Sequence, residues 1–149
     1  NYFKTQNWEQ GKKLLDQGIK EIGANSVTNE LMGWYYYHYK KYDQARFYLI
    51  KSLRDEPSNL HSREILINIE EATKNYSSAI CYINEMLEYN PYNQNLWRRK
   101  IDIYRRIGNN VEADRLLQRL RQIYPDNQQI KKDITYQTEI NYNNFKNNN

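Results

Sequence analysis

The stretch LWRRKIDIYRRIGNNVEADRLLQRLRQIYP, residues 96–125, reads as two helices joined by a turn. Leu96, Trp97, Ile101, Ile103, Tyr104 and Ile107 recur at helical spacing and form one wide apolar stripe. Gly108-Asn109-Asn110 interrupts it, with Asn109 placed to cap the next helix. A second stripe then runs through Val111, Ala113, Leu116, Leu117, Leu120 and Ile123. Pro125 stops that helix, because proline lacks the backbone amide and restrains the residue before it.

The same pattern recurs along the chain. Pro57, Pro91 and Pro125 are spaced by 34 residues, and Ala45, Ala79 and Ala113 stand twelve residues before them. Asn25, Asn59, Asn93 and Asn127 keep the interval, as do Ile19, Leu53 and Leu87, and the aromatics Trp8, Tyr42 and Tyr76. Five independent series at one period point to tandem units, each a helix pair that buries its second face only against a neighbour. The small alanines mark a close crossing of the two helices, where a larger side chain would cost about 1–3 kcal/mol. The Asn two residues after each proline is placed to cap the next first helix.

On these residues the chain resembles the tetratricopeptide repeat proteins, whose 34-residue helix-turn-helix carries an aromatic and a Gly in the first helix, Ala early in the second and Pro at the end. Gly33, Tyr36, Ala45 and Pro57 match in the first complete unit, and Trp97, Tyr104, Ala113 and Pro125 in the third. The second unit departs: Arg63 stands in the place of Trp97, Ile67 of Gly33 and Glu70 of Tyr36, while Leu66, Ala79, Leu87 and Pro91 hold the register. The resemblance implies an all-α fold, an α-solenoid coiled as a right-handed superhelix of about three full repeats, with a partial N-terminal repeat and a C-terminal capping helix. The expected array spans 1–142, as a partial repeat 1–23, repeats 24–57, 58–91 and 92–125, and a capping helix 126–142 carrying Ile130, Ile134 and Ile140. Residues 143–149 read as a flexible Asn-rich tail. The frame opens inside a repeat, which suggests a piece of a longer array and leaves Leu14, Leu15 and Ile19 as an uncovered end where copies could self-associate.

Composition agrees with helices and with little else. In 149 residues there are five glycines and three prolines, too few turn formers for a sandwich of many strands. A mean hydropathy of −1.06 and no apolar run near the ~20 residues of a membrane span argue against a transmembrane segment. The one cysteine, Cys81, excludes an internal disulfide and does not decide the compartment; flanked by Ile80, Tyr82 and Ile83, it reads as a small buried or half-buried packing residue.

Catalytic signatures are missing: there is no P-loop, no G-x-G-x-x-G, no H-E-x-x-H and no G-x-S-x-G. His38 and His61 have only Cys81 as a soft co-ligand, short of the three or four donors zinc requires. Adjacent carboxylates such as Glu70 and Glu71 diverge by about 100° on a helix and make no acid–base pair by themselves. No catalytic residue, metal or cofactor is expected.

The resemblance does offer a binding surface, since first helices of such repeats line a concave groove. Three rows would face it: Glu30, Glu64 and Arg98; Trp34, Asn68 and Asp102; Tyr37, Glu71 and Arg105, with His38 at the border. Trp34 and Tyr37 would be its apolar anchors. The carboxylate clamp of chaperone-binding members would fall on Glu30, Trp34, Ile65, Asn95 and Arg99, of which only Arg99 fits, so chaperone-tail binding is not expected. Charge is uneven: residues 58–91 have two Lys/Arg against five Asp/Glu, and 92–125 have eight against three. A uniformly basic strip, as a nucleic acid backbone would favour, is absent.

These observations point to a non-catalytic scaffold that binds a peptide or protein segment in the groove, as part of a larger protein or assembly. The alternatives are a nucleic-acid-binding helical repeat using the basic third unit, and an accessory domain of a multidomain enzyme.

Overall fold

The computed structural model describes residues 7–125 and, beyond them, 127, 128, 132, 139 and 142–147. Seven helices succeed one another through residue 123: α1 (Trp8–Ile22), α2 (Ser26–His38), α3 (Tyr42–Asp55), α4 (Leu60–Ala72), α5 (Tyr76–Tyr89), α6 (Gln94–Arg106) and α7 (Asn110–Ile123). No strand occurs among the described residues. The terminal helix expected over 126–142 falls mostly outside the described residues; residues 142–147 are helical and exposed. The chain forms two compact units, residues 1–86 and 87–149.

Asparagine begins most of these helices. Its short amide accepts from amides left without intrahelical partners, at a position whose backbone is not yet helical. Asn25 accepts from the Thr28 amide and Thr28 Oγ1 from the Asn25 amide, a reciprocal capping box. Asn59 caps α4 through the Ser62 amide, Asn93 caps α6 through the Asn95 and Leu96 amides, and Asn109 caps α7 through the Glu112 amide.

The turn inside each helix pair is built three times from the same two bonds. The amides of Lys41, Asn75 and Asn109 reach back five residues to the carbonyls of Tyr36, Glu70 and Tyr104, while those of Lys40, Lys74 and Gly108 reach back three. This Schellman geometry needs a left-handed residue just past the helix. Lys40 (φ 56°), Lys74 (φ 60°) and Gly108 (φ 79°) supply it at 34-residue spacing. Only the third has the residue type suited to it, because a Cβ in that conformation costs roughly 1–2 kcal/mol.

In the first unit α2 packs on α3 around Gly33 and the fully buried Ala45 and Leu49. A Cβ on Gly33 would lie 2.5 Å from Leu49 Cγ, so the crossing has no room for a methyl group. Ile65, Leu66 and Ile69 of α4 close this core. The residues that depart from the family pattern hold the unit by other chemistry. Arg63 Nη1 donates to the Pro57 carbonyl, as Trp97 Nε1 donates to the Pro91 carbonyl one period later at 2.8 Å, and Arg63 Nε donates to Glu85 at 2.8 Å. Glu70, 4% exposed, accepts from Arg46 Nε, whose Nη2 donates to Thr73 Oγ1 at 2.7 Å. Ser52, also fully buried, donates to the Ser26 carbonyl at 2.8 Å and accepts from Ser62 and Asn59, tying α2, α3 and α4.

Cys81 departs from expectation: it is exposed. Ala79, Ile83 and Leu87, four residues apart, take the buried stripe of α5, and Cys81 lies about 200° around the helix from Ala79. In the second unit Ile101 of α6 packs with Ala113, Leu116, Leu117 and Leu120 of α7, and Trp97, Tyr104 and Tyr124 flank them.

Lys40→Gly and Lys74→Gly should each raise the urea unfolding free energy by about 0.5–1 kcal/mol, the left-handed penalty less the extra entropy glycine loses on folding, and Gly108→Ala should lower it by about 1 kcal/mol. Arg46→Ala strands the Glu70 carboxylate and should cost about 3–5 kcal/mol, whereas Arg46→Met with Glu70→Met should recover most of that loss. Equilibrium denaturation checks both; equal losses in the single and double variants would exclude the ion pair as the cause.

Candidate partner-binding surface

In the first unit Glu30, Trp34, Tyr37 and His38 lie on α2, and Glu64, Asn68 and Glu71 on α4. Glu30 turns toward the start of α4: Oε2 accepts from Asn59 Nδ2 at 3.0 Å and Oε1 pairs with His61 Nδ1. Its carboxylate is thereby engaged between two helices, while Glu64, its counterpart one period later, is exposed. Trp34 is half-buried and touches both apolar clusters of the unit. Its ring meets those of Trp8 at 5.6 Å and His61 at 5.5 Å, both edge-on. His38 lies flat on Trp8, with centroids 4.1 Å apart. Tyr37 is half-buried against the α3–α4 core and tilts toward Tyr42 at 6.2 Å. Asn68 and Glu71 are half-buried.

Trp34 and Tyr37 are therefore packing residues first. The aromatic row also draws in Trp8 and His61, which sequence reasoning leaves out. Period alone makes Trp8 structural, and no spacing rule brings residue 61 to residue 34. Leu15 is buried and Ile19 packs beside it, so of the expected uncovered N-terminal surface Leu14 stays exposed, together with Ile22.

A carboxylate clamps α1 to α2. Glu9 Oε1 accepts from the Tyr39 hydroxyl at 2.7 Å and from the Tyr35 hydroxyl at 3.2 Å. The bond from Tyr39 holds Glu9 below the usual carboxylate range, and the same bond pushes Tyr39 up to about 12. Burial first, and then Glu9, raise Tyr35.

In the second unit three of the expected residues come together. Arg98, Asp102 and Arg105 of α6, with Ile101 of the same helix and Leu117 of α7, line one pocket of about 200 Å³. Arg105 Nη1 is 3.6 Å from Asp102 Oδ1, while its Nε and Nη2 are buried and donate to nothing. Arg98 is half-buried and Asp102 exposed. The hydrophobic stripe assigns Ile101 and Leu117 to the core, which hides their second use as pocket lining. Two cations stand over the Trp97 ring, Lys100 Nζ at 5.3 Å and the Arg119 guanidinium at 5.7 Å, and burial lowers the Lys100 pKa.

Among the described residues no three or more His, Cys, Asp or Glu gather as a metal ion would require, and no helix is long and apolar enough to cross a membrane.

Solved structures share this arrangement of helices. MamA AMB-1 superposes with a TM-score of 0.71 at 21% identity, over 93% of this chain and 75% of that one. YrrB, titled a TPR protein with an unusual peptide-binding site, gives 0.70 at 14% identity, over 89% and 68%. The chain has the tetratricopeptide repeat fold. MamA MSR-1 extends the likeness, with a TM-score of 0.64 at 25% identity over 79% of this chain and 72% of that one. No family model and no curated protein matches the sequence.

The Glu9 clamp gives this tetratricopeptide fold a pH signature. Tyr39 has a raised pKa, so its contribution to stability is complete below the ordinary phenol value of about 10 and is lost as pH rises through about 12. Glu9 has a lowered pKa, so its contribution is present above the ordinary carboxylate value and is lost as pH falls through the lowered one. Glu9→Gln should return the Tyr39 hydroxyl toward about 10 in an NMR titration. A wild-type Tyr39 titrating with the other tyrosines would disprove the clamp.

Proposed function

We propose that the chain is a non-catalytic interaction scaffold that holds a protein or peptide segment against the exposed faces of its first helices, α2, α4 and α6. The observation that carries this reading is that first helices bury an apolar side, Ile65, Leu66, Ile67 and Ile69 on α4 and Leu96, Ile101 and Ile103 on α6, and still leave charged residues exposed. Second helices bury their small and aliphatic residues, with Ala45, Leu49, Ala113, Leu116 and Leu120 at 0–2% exposure. First helices keep polar and charged residues outward, namely Glu64 on α4 and Asp102 on α6. A peptide-binding site on YrrB, which shares the fold at low identity, supports the same use of it.

Glu64, Asn68, Glu71, Arg98, Asp102 and Arg105 are the proposed contacts, with the accessible parts of Trp34, Tyr37 and His38 beside them. Glu30 acts by holding the start of α4 in place. Because Trp34 serves two clusters, Trp34→Ala should cost about 3–5 kcal/mol of stability and would blur any binding assay.

Photo-crosslinking avoids that ambiguity. A crosslinker at Glu64 or Asp102, both exposed on first helices, should capture a discrete protein from a lysate of the source cells, while the same group at the exposed second-helix residues Lys51 or Arg121 should not. Equal capture from both sets would reject the assignment, and transfer to nucleic acid instead of protein would replace it with that partner class.

A further inference from the structure

We propose that the pocket on α6 and α7 takes the carboxylate of an acidic side chain from the bound segment, with Arg105 as its main ligand and Arg98 as the second cation. This rests on the scaffold reading and adds the chemistry of one contact.

Arg105 presents an incomplete guanidinium. Its Nε and Nη2 are buried and make no hydrogen bond, and its Nη1 stands 3.6 Å from Asp102 Oδ1, an ion-pair distance beyond hydrogen-bond range. Nε–H and Nη2–H leave the same edge of the planar group in parallel, the fork that matches both oxygens of one carboxylate. A charged donor withdrawn from water without an acceptor is destabilised, and an arriving carboxylate removes that penalty. A rotation of the outer Arg105 torsions would be needed to turn this buried edge toward the pocket that the residue lines.

The rest of the pocket selects the occupant. About 200 Å³ is far more than a single water needs, at about 30 Å³, and gives room for a side-chain stem. Ile101 and Leu117 give that stem apolar lining, and Arg98 and Arg105 put cations in the same pocket. Asp102, mostly exposed, stands among the lining residues; it orders Arg105 from the Nη1 side and repels a multiply charged phosphate more strongly than a single carboxylate. The surrounding segment, 92–125, has eight basic residues against three acidic, which favours an acidic partner over a neutral one. None of the five lining residues lies at Glu30, Trp34, Ile65, Asn95 or Arg99, where a carboxylate clamp of the family would fall.

The test is an NMR titration of the full chain, observing the arginine side-chain Nε–H signals as N-acetylglutamate N-methylamide is added. A saturable shift of the Arg105 signal is expected, absent with N-acetylglutamine N-methylamide. Arg105→Lys should weaken the effect seen at Arg98 about tenfold or more, the loss of a charge-assisted fork, with an unchanged circular dichroism spectrum. Equal responses to the glutamate and glutamine probes, or none to either, would overturn the proposal. So would a tighter response to inorganic phosphate, which would make the pocket a phosphate site. No partner enters this measurement, so it can fail while the crosslinking result stands, or hold while that result fails.

Discussion

Close approach of two helices at positions without bulk is the constraint on which the other features depend. Ala45, Ala79 and Ala113 are fully buried, and at Gly33 even a methyl group would meet Leu49. Side chains beyond the crossing then interdigitate at interior density, where added volume is felt directly. Both helices of a pair bury one side against this crossing, and the first helix keeps Glu64 or Asp102 exposed on the other. The tight crossing and the polar outward face are two results of one arrangement.

The second repeat shows how such a frame survives the loss of its signature residues. A guanidinium at position 63 reaches the Pro57 carbonyl as the Trp97 indole reaches that of Pro91, so the bond persists although the aromatic does not. At position 70 a carboxylate replaces a ring and brings a requirement with it. A buried anion is tolerated only with a cation and further donors around it, which Arg46 supplies from α3 while Thr73 completes the guanidinium. Stability there depends on a pair being intact, whereas Tyr36 and Tyr104 contribute by packing.

Helix number, helix limits and most caps are readable from the chain, because they depend on local chemistry: apolar period, asparagine amides and the rigid proline. The left-handed turns at Lys40 and Lys74 are not, since lysine gives no sign of that conformation; only the period shared with Gly108 hints at it. Cys81 is misplaced by a sequence reading because its neighbours in the chain are apolar, while burial tracks the four-residue step from Ala79 to Ile83. The candidate surface is legible in part. Spacing brings Arg98, Asp102 and Arg105 to one side of α6, four and three residues apart, where the pocket lies. It gives no warning that Glu30 turns to His61 or that Trp34 is shared between two clusters, because those outcomes are set by residues distant in sequence.

That difference bears on how recognition could change without loss of the fold. On α2 the aromatic residues are bound into ring contacts with Trp8, His61 and Tyr42, so altering one disturbs packing and any binding together. On α6, Arg105 Nε and Nη2 make no hydrogen bond, and the contact that Arg105 makes with Asp102 is long and solvent-exposed, of a kind worth little to stability. Exchanging charges at 102 and 105 should therefore leave the core of Ile101, Ala113, Leu116 and Leu120 intact while changing what the pocket attracts. A repeat fold keeps its interior constant and its contacts variable when the residues that recognise are not the residues that pack, and in this chain α6 meets that condition more fully than α2.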